Sequence, residues 1–297
     1  MKKQTLYIIV GVVFVTLACT VGTATPAAPT QVPDDPVGTV VALTMQAILT
    51  ASPSGPVPTQ APSQASGIPV TFQYASFTIP NGLAGGASPE AVAAIGENGG
   101  APWEVGPAHL KFTLTGYQLQ DKFHEPQILV YPADELAQAN SGAAEQIDRL
   151  KKILAGGTPM KETLPAVYFF NAAPLIAADI QPVAFQSGKG IRTLTQYDQY
   201  AGPVNNHEFF YHFQGLTNDG KYYIIAILPI TAPILPEDAK ADTVVPPGGV
   251  PIPADTGPNS TYYISVTGKL NALSPDAYTP SLSTLDTMIQ SILVTNP

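Results

Sequence analysis

Apolar and polar positions alternate with a period of two in several segments, which is the pattern of half-buried β-strands. Val70, Phe72 and Tyr74 alternate with smaller or polar residues, and we predict one strand from there to Pro80. The same alternation predicts strands over 109–119 and 127–131.

A run of four further strands is predicted in the second half of the chain, over 175–186, 191–197, 207–214 and 221–229. Thr217–Gly220 has the composition of a hairpin turn between the last two, and Ser187–Gly190 of a turn between the first two. The final strand is apolar on both faces, so both of its faces should be covered. The sequence therefore predicts a central antiparallel meander.

Helical patterns flank this meander. Pro132 opens one helical stretch, and Ser141 is predicted to cap a second helix that presents Ile147, Leu150 and Leu154 on one face. Tyr262–Leu270 is predicted as a further strand, 281–290 as a helix and 291–294 as a short strand. A Pro-rich insertion over 231–260 separates the meander from these last elements.

These elements predict one α+β domain over 68–297, in which helices cover a central antiparallel meander as in an α-β-α sandwich. The order of an initial strand ending at Ile79-Pro80, a meander, and a closing helix ending at Met288–Ser291 resembles the PsbP-like fold. That resemblance implies an architecture and carries no function.

The first residues have the pattern of an export signal. Lys2 and Lys3 precede an uncharged, mainly apolar segment from Leu6 to Ala18, which at 13 residues matches a signal-peptide core of about 7–15 residues. A spanning helix needs roughly 20 residues. The segment ends at Cys19, the single cysteine of the chain, which therefore has no partner for an internal disulfide.

Cys19 after Thr16-Leu17-Ala18 resembles the lipobox of bacterial lipoproteins. The resemblance implies that residues 1–18 are removed and that Cys19 is acylated, which anchors the protein to a cell membrane. The family has Leu three positions before the cysteine, where this chain has Thr16. The alternatives are an ordinary signal peptide, cut after Ala24 for example, or an uncleaved N-terminal anchor, and all three place the body outside the cytoplasm.

Residues 19–67 have the Thr-, Pro- and Ala-rich composition of an extended stalk, with one short apolar helix predicted over 36–50. This layout is similar to that of uncharacterised bacterial lipoproteins built from a lipobox, a stalk and one domain. The chain has 22 acidic and 13 basic residues and a net charge of -9. This charge argues against nucleic acid as a partner.

The sequence does not match the common motifs of catalytic and metal-binding sites. His207 and His212 lie five positions apart, whereas the HExxH zinc motif requires four on one helix face. On a strand, five positions place two side chains on opposite faces. No G-x-S-x-G nucleophile elbow occurs. We therefore assign no catalytic residue, metal ligand or cofactor from the sequence.

Arg192 is the most informative polar residue, since it falls inside a predicted covered strand and a buried charge needs a partner. One interpretation is structural: Arg192 forms a salt bridge to Asp198 or Glu208, or it lies at the end of the strand and reaches water. The other is a ligand contact, with His207, Glu208 and His212 as further candidates.

Three functions follow as hypotheses. The first is a non-enzymatic binding or interaction module, displayed on a lipid-anchored stalk, for an envelope protein or a small solute. The second is an extracytoplasmic hydrolase with a site assembled across the sheet, and the third is a structural envelope spacer.

Overall fold

The computed structural model describes residues 66–254, 257 and 260–296. Cys19, the signal segment 1–18, almost all of the 19–67 stalk and the apolar helix over 36–50 lie outside the described residues. The described part is a mixed α+β structure built on a large antiparallel sheet, as the sequence predicts.

The large sheet has seven antiparallel strands, and a strand apolar on both faces occupies its centre. The order across the sheet is β3 (Gly86–Val92), β4 (His109–Thr115), β5 (Gln127–Pro132), β11 (Tyr222–Pro229), β10 (Phe210–Thr217), β8 (Gly188–Thr195) and β7 (Ala178–Phe185). The prediction that the strand over 221–229 is covered on both faces is confirmed. β7 lies at an edge of the sheet, so the predicted meander is not central as a whole.

A smaller sheet contains β1 (Gly67–Phe72), β2 (Ala75–Pro80) and β12 (Leu293–Val294). The prediction of a single strand over 70–80 is wrong, because the chain reverses at Gln73, which has a φ of 50°. The predicted C-terminal strand pairs with β2. A third, two-stranded pairing joins β6 (Ala173–Pro174) to β9 (Tyr197–Asp198).

Two helices follow β5. Helix α1 spans Ala133–Ala139 and α2 spans Ser141–Leu154. The cap of α2 is Asn140 rather than Ser141, since the Asn140 side chain accepts a hydrogen bond from the Ala143 amide at 3.0 Å.

Two further helices follow the Pro-rich segment. Helix α3 spans Thr261–Asn271, and α4 spans Leu282–Gln290 with Ser281 as its cap. The predicted strand over 262–270 is wrong. Tyr262, Val266 and Leu270 recur every four residues and are buried, which is a helical spacing that the high content of β-branched and aromatic residues obscures.

Alternation along the central strand divides the apolar residues between two clusters, one on each face of the large sheet. Ile224, Ala226 and Leu228 belong to the cluster that contains side chains of α3, α4 and the small sheet. Tyr223, Ile225 and Ile227 belong to the cluster that contains side chains of α1 and α2. We call these the α3/α4 face and the α1/α2 face.

The predicted strand over 207–214 is displaced along the sequence. β10 begins at Phe210, and 206–208 form a turn before it. The turn between β7 and β8 likewise lies at Gln186-Ser187 instead of Ser187–Gly190. The later start of β10 places His207 and Glu208 in the turn before the strand.

Candidate binding cleft

Several loops meet at one end of the large sheet. Because neighbouring strands are antiparallel, their starts and ends alternate along each end of the sheet. One end of the sheet therefore holds the end of β4, the start of β5, the end of β8 and the start of β10. The segments 116–126 and 196–209 therefore emerge there, and the β6–β9 pairing brings the 169–172 segment beside them.

A cleft of about 470 Å³ opens between these loops. This volume falls within the range of about 300–1,000 Å³ that is typical of small-molecule sites. The residues that line it are Phe123, His124, Phe169, Phe170, Asn171, Ala172, Tyr197, Asp198, Gln199, Tyr200 and Glu208.

His124 belongs to an aromatic wall of the cleft. Its ring stacks on that of Phe170, with the ring centroids 5.1 Å apart and an angle of 12° between the planes. The ring of Phe210 lies 4.4 Å from it, centroid to centroid, at an interplanar angle of 63°. Burial, with a smaller contribution from His207, lowers the pKa of His124 to about 4. The His124 ring is therefore uncharged near neutral pH.

Tyr197 continues this wall. Its ring lies 5.4 Å from that of Phe170 at an interplanar angle of 82°, and its hydroxyl accepts a hydrogen bond from the Val167 amide at 3.1 Å. Burial raises the pKa of Tyr197 to about 12. The inner part of the cleft is thus a set of packed, uncharged rings.

Two aromatic residues at the cleft are largely exposed. Phe123 is 65% and Tyr200 is 79% accessible, although large aromatic side chains are usually well buried. A ligand that covers them would remove apolar surface from water. Phe123 and Tyr200 therefore mark this end of the sheet as a surface suited to binding.

Two acidic side chains line the cleft, each oriented by hydrogen bonds. Glu208 Oε2 accepts from Gln196 Nε2 at 2.7 Å and from Asn205 Nδ2 at 3.2 Å. Asp198 Oδ1 accepts from the Tyr200 amide at 3.1 Å. The acidic groups are held in place before any ligand arrives.

Arg192 lies away from the cleft, on the α3/α4 face. It stands opposite Phe213 in the β8–β10 register, and its Nε is 3.3 Å from Asp286 Oδ1 of α4. The predicted partners, Asp198 and Glu208, are wrong, because α4 packs over this part of the strand and supplies the carboxyl group. Within the described residues, Arg192 Nε and Nη1 are buried without a hydrogen-bond acceptor.

His212 lies on the opposite, α1/α2 face and is fully buried. Gln214 Nε2 donates to His212 Nε2 at 2.8 Å, and it also donates to the Ala166 carbonyl at 2.9 Å. The Tyr223 hydroxyl donates to Gln214 Oε1. Burial lowers the pKa of His212 to about 3, with a smaller contribution from His124. His212 belongs to a polar network that holds the loop after α2.

His207 and Glu208 share the turn before β10, and of the four predicted contacts Glu208 alone lines the cleft. His207 Nδ1 is 3.1 Å from the Asp121 carbonyl oxygen, and its ring lies 6.2 Å from that of Phe123. Arg192 and His212 lie on opposite faces of the sheet. The four residues therefore do not form the convergent site that the hydrolase hypothesis requires.

Sequence reasoning missed most of the cleft. His124, Phe170 and Tyr200 were not singled out, since each stands in a segment without regular periodicity. A usable signal was present, because Phe123-His124 and Tyr168-Phe169-Phe170 are aromatic runs in segments for which the sequence predicts no helix or strand. Aromatic runs outside regular elements indicate either a core contact or a binding surface.

Comparisons of the chain with protein-family models, with curated proteins and with solved structures found no match. Within residues 66–254, 257 and 260–296, no three His, Cys, Asp or Glu side chains group as metal ligands. No helix in that same part of the chain is both long and apolar enough to cross a membrane. The geometry of the cleft is therefore the basis for a functional proposal.

Proposed function

We propose that this protein is an extracytoplasmic lipoprotein whose domain is a small-molecule binding module. The observation that carries the binding role is the cleft at the loop end of the sheet, with packed aromatic walls and exposed rings at Phe123 and Tyr200. Apolar walls with a few oriented polar groups are the usual composition of small-molecule sites.

The location rests on the sequence around Cys19. An acylated Cys19 would tether the stalk, and the stalk would present the domain at a distance from the membrane. Two or more acyl chains anchor a protein stably, whereas one binds only weakly. In this arrangement the domain meets solutes of the extracytoplasmic space.

We also propose the α-β-α sandwich as the architecture that supports the cleft. Apolar clusters on both faces of the large sheet support this architecture, although the small sheet shares one face with α3 and α4. Packing on both faces of the sheet holds the strand ends in place. The strand ends in turn set the positions of the loops that line the cleft.

A ligand screen with a filled-cleft control tests the binding role. Thermal unfolding of the purified protein is followed with a panel of cationic, neutral and anionic small molecules, in the wild type and in Ala172→Trp. Ala172 lines the cleft and is partly exposed, so the larger side chain should occupy it. We expect at least one compound to raise the Tm of the wild type and to lose this effect in the variant.

Two results would contradict the binding role. One is a panel in which no compound stabilises the wild type. The other is a set of stabilising compounds that act equally on Ala172→Trp, which would place their site elsewhere.

A further inference from the structure

The lining of the cleft is acidic and aromatic, with no Lys or Arg among its eleven residues. Lys122 neighbours the lining residue Phe123 in the chain, but its Nζ lies 2.7 Å from Glu237 Oε1. Asp198 and Glu208 therefore face the cleft without a basic residue of the lining to balance them. The net charge of the whole chain, -9, has the same sign.

The rings of the cleft meet at steep angles. Phe169 and Phe170 are inclined at 90°, Phe170 and Tyr197 at 82°, and Phe123 and His124 at 88°. Rings inclined at such angles to one another point in several directions, as the walls of an aromatic cage do. The face of an aromatic ring carries the negative part of its quadrupole and attracts cations.

The one nearly parallel pair in the lining is closed to a ligand. His124 and Phe170 stack on each other with their centroids 5.1 Å apart, which leaves no room for a planar group between them. A flat ring therefore does not insert between His124 and Phe170, and a ligand contacts the rings of the lining from within the cleft.

We propose that the cleft binds a small organic cation, an alkyl- or arylalkylammonium ion, held by the ring faces of the cleft with Asp198 and Glu208 as counter-charges. This inference rests on the proposed function, because it names the ligand class of the same cleft. Recognition of ammonium groups by aromatic cages is an established use of cation–π attraction.

His124 fits this assignment as an uncharged member of the cage. Its depressed pKa, which follows from burial, keeps a positive charge out of the wall at neutral pH. A protonated imidazole at this position would repel the ligand. The ring stacked on Phe170 instead acts as one more aromatic surface.

Isosteric probes test the charge of the ligand directly. Choline, its neutral isostere 3,3-dimethylbutan-1-ol and the anion 3,3-dimethylbutyrate have closely similar shapes and differ in charge. Phenethylammonium and 2-phenylethanol give a second comparison between a cation and a neutral molecule of similar shape. Each is titrated into the purified protein by NMR or calorimetry. We expect each cation to bind at least about tenfold more tightly than its neutral partner, and the anion to bind most weakly.

Variants at the cleft test the residues. Asp198→Asn removes the charge but keeps an oxygen that can accept from the Tyr200 amide, so it should weaken cation binding by about tenfold and leave the neutral probe unchanged. Tyr200→Ala, at an exposed position, should weaken cation binding without unfolding the protein. The matched controls are Glu97→Gln, an exposed acid, and Trp103→Ala, which is 43% accessible, and both should bind as the wild type does.

The outcomes separate the two proposals. Neutral or anionic probes that bind as well as the cations, and are blocked by Ala172→Trp, overturn the cationic ligand and leave the binding cleft standing. Probes that Ala172→Trp does not block overturn both. If the double variant Asp198→Asn/Glu208→Gln binds the cations as tightly as the wild type does, Asp198 and Glu208 are not the counter-charges of the ligand.

Discussion

Arg192 Nε lies 3.3 Å from Asp286 Oδ1, across the boundary between β8 and α4. The Tyr211 hydroxyl donates to the same carboxyl oxygen at 2.8 Å. Burial raises the pKa of Asp286, and the nearby Arg192 opposes that rise. This ion pair holds the last helix of the chain against the α3/α4 face.

Removing one member of this pair should therefore destabilise the fold. We expect Asp286→Ala to lower the free energy of unfolding by on the order of 3 kcal/mol, because it leaves the buried Arg192 charge without its counter-ion. Urea denaturation measures this change. The double variant Arg192→Met/Asp286→Ala should lose less than the sum of the single variants. Single effects that add within about 0.5 kcal/mol would show that the two groups are not coupled.

His212, which is buried, and His124, which is half-buried, should make stability fall in acid. The pKa of His212 is about 3 and that of His124 about 4 in the folded protein, against 6.5 in the unfolded chain. Below pH 6.5 the unfolded chain takes up protons that the folded chain refuses, so unfolding becomes easier until the pH reaches the folded pKa. Each group contributes at most about 1.4 kcal/mol per pH unit.

Denaturation curves of the wild type and of His212→Asn between pH 7 and pH 4 measure this contribution. Asparagine keeps a side-chain oxygen that can accept from Gln214 and does not titrate. We expect the variant to be less stable at pH 7 and to lose stability less steeply on acidification. Equal slopes in the two proteins would rule out His212 as a source of the acid sensitivity.

Two facing glycines allow aromatic rings to lie against the sheet. Gly190 and Gly215 are register partners in β8 and β10, and a Cβ on Gly190 would come within 2.2 Å of the Gln214 carbonyl oxygen and 2.5 Å of the Phe213 ring. Gly190→Ala should therefore cost about 1–3 kcal/mol of stability through overpacking.

Gly268 provides the matched control for this substitution. It lies inside α3 and is exposed, and apart from its chain neighbours and the backbone of its own helix nothing lies within 4 Å of the position of a Cβ. Gly268→Ala should raise stability by about 0.5–1 kcal/mol, since alanine favours the helix interior. Thermal or urea unfolding of both variants measures these stability changes. A Gly190→Ala variant as stable as the wild type would contradict the packing described for Phe213.

Acylation of Cys19 predicts a specific mature N-terminus. Mass spectrometry of the protein isolated from membranes should find Cys19 as the first residue with its acyl chains attached. Cys19→Ala should abolish both acylation and cleavage before position 19, so the variant should keep residues 1–18. An unmodified Cys19 in the mature protein, or cleavage before position 19 that persists in the variant, would remove the lipoprotein proposal.

Local patterns were enough to predict much of the fold. The helix with Ile147 and Leu150 on one face, and the Thr217–Gly220 turn, were found because their signals depend on neighbours in the chain. The strand over 262–270 was predicted wrongly, because Tyr262, Tyr263 and Val266 have strand-like side chains and the buried face that makes them helical is set by packing on other parts of the chain.

The sequence by itself determined the class of the fold and the doubly covered strand over 221–229, since the patterns behind them lie in neighbouring residues of the chain. A local pattern of the same kind predicts lipidation at Cys19, which lies outside the described residues. Only the tertiary structure decided that Arg192 pairs with Asp286, 94 positions later in the chain, and that His124, Phe170 and Asp198 line one cleft. Antiparallel pairing brings distant loops to one end of the sheet. The strand register and the paths of the loops then decide which side chains meet there. Neither of these is encoded in local periodicity.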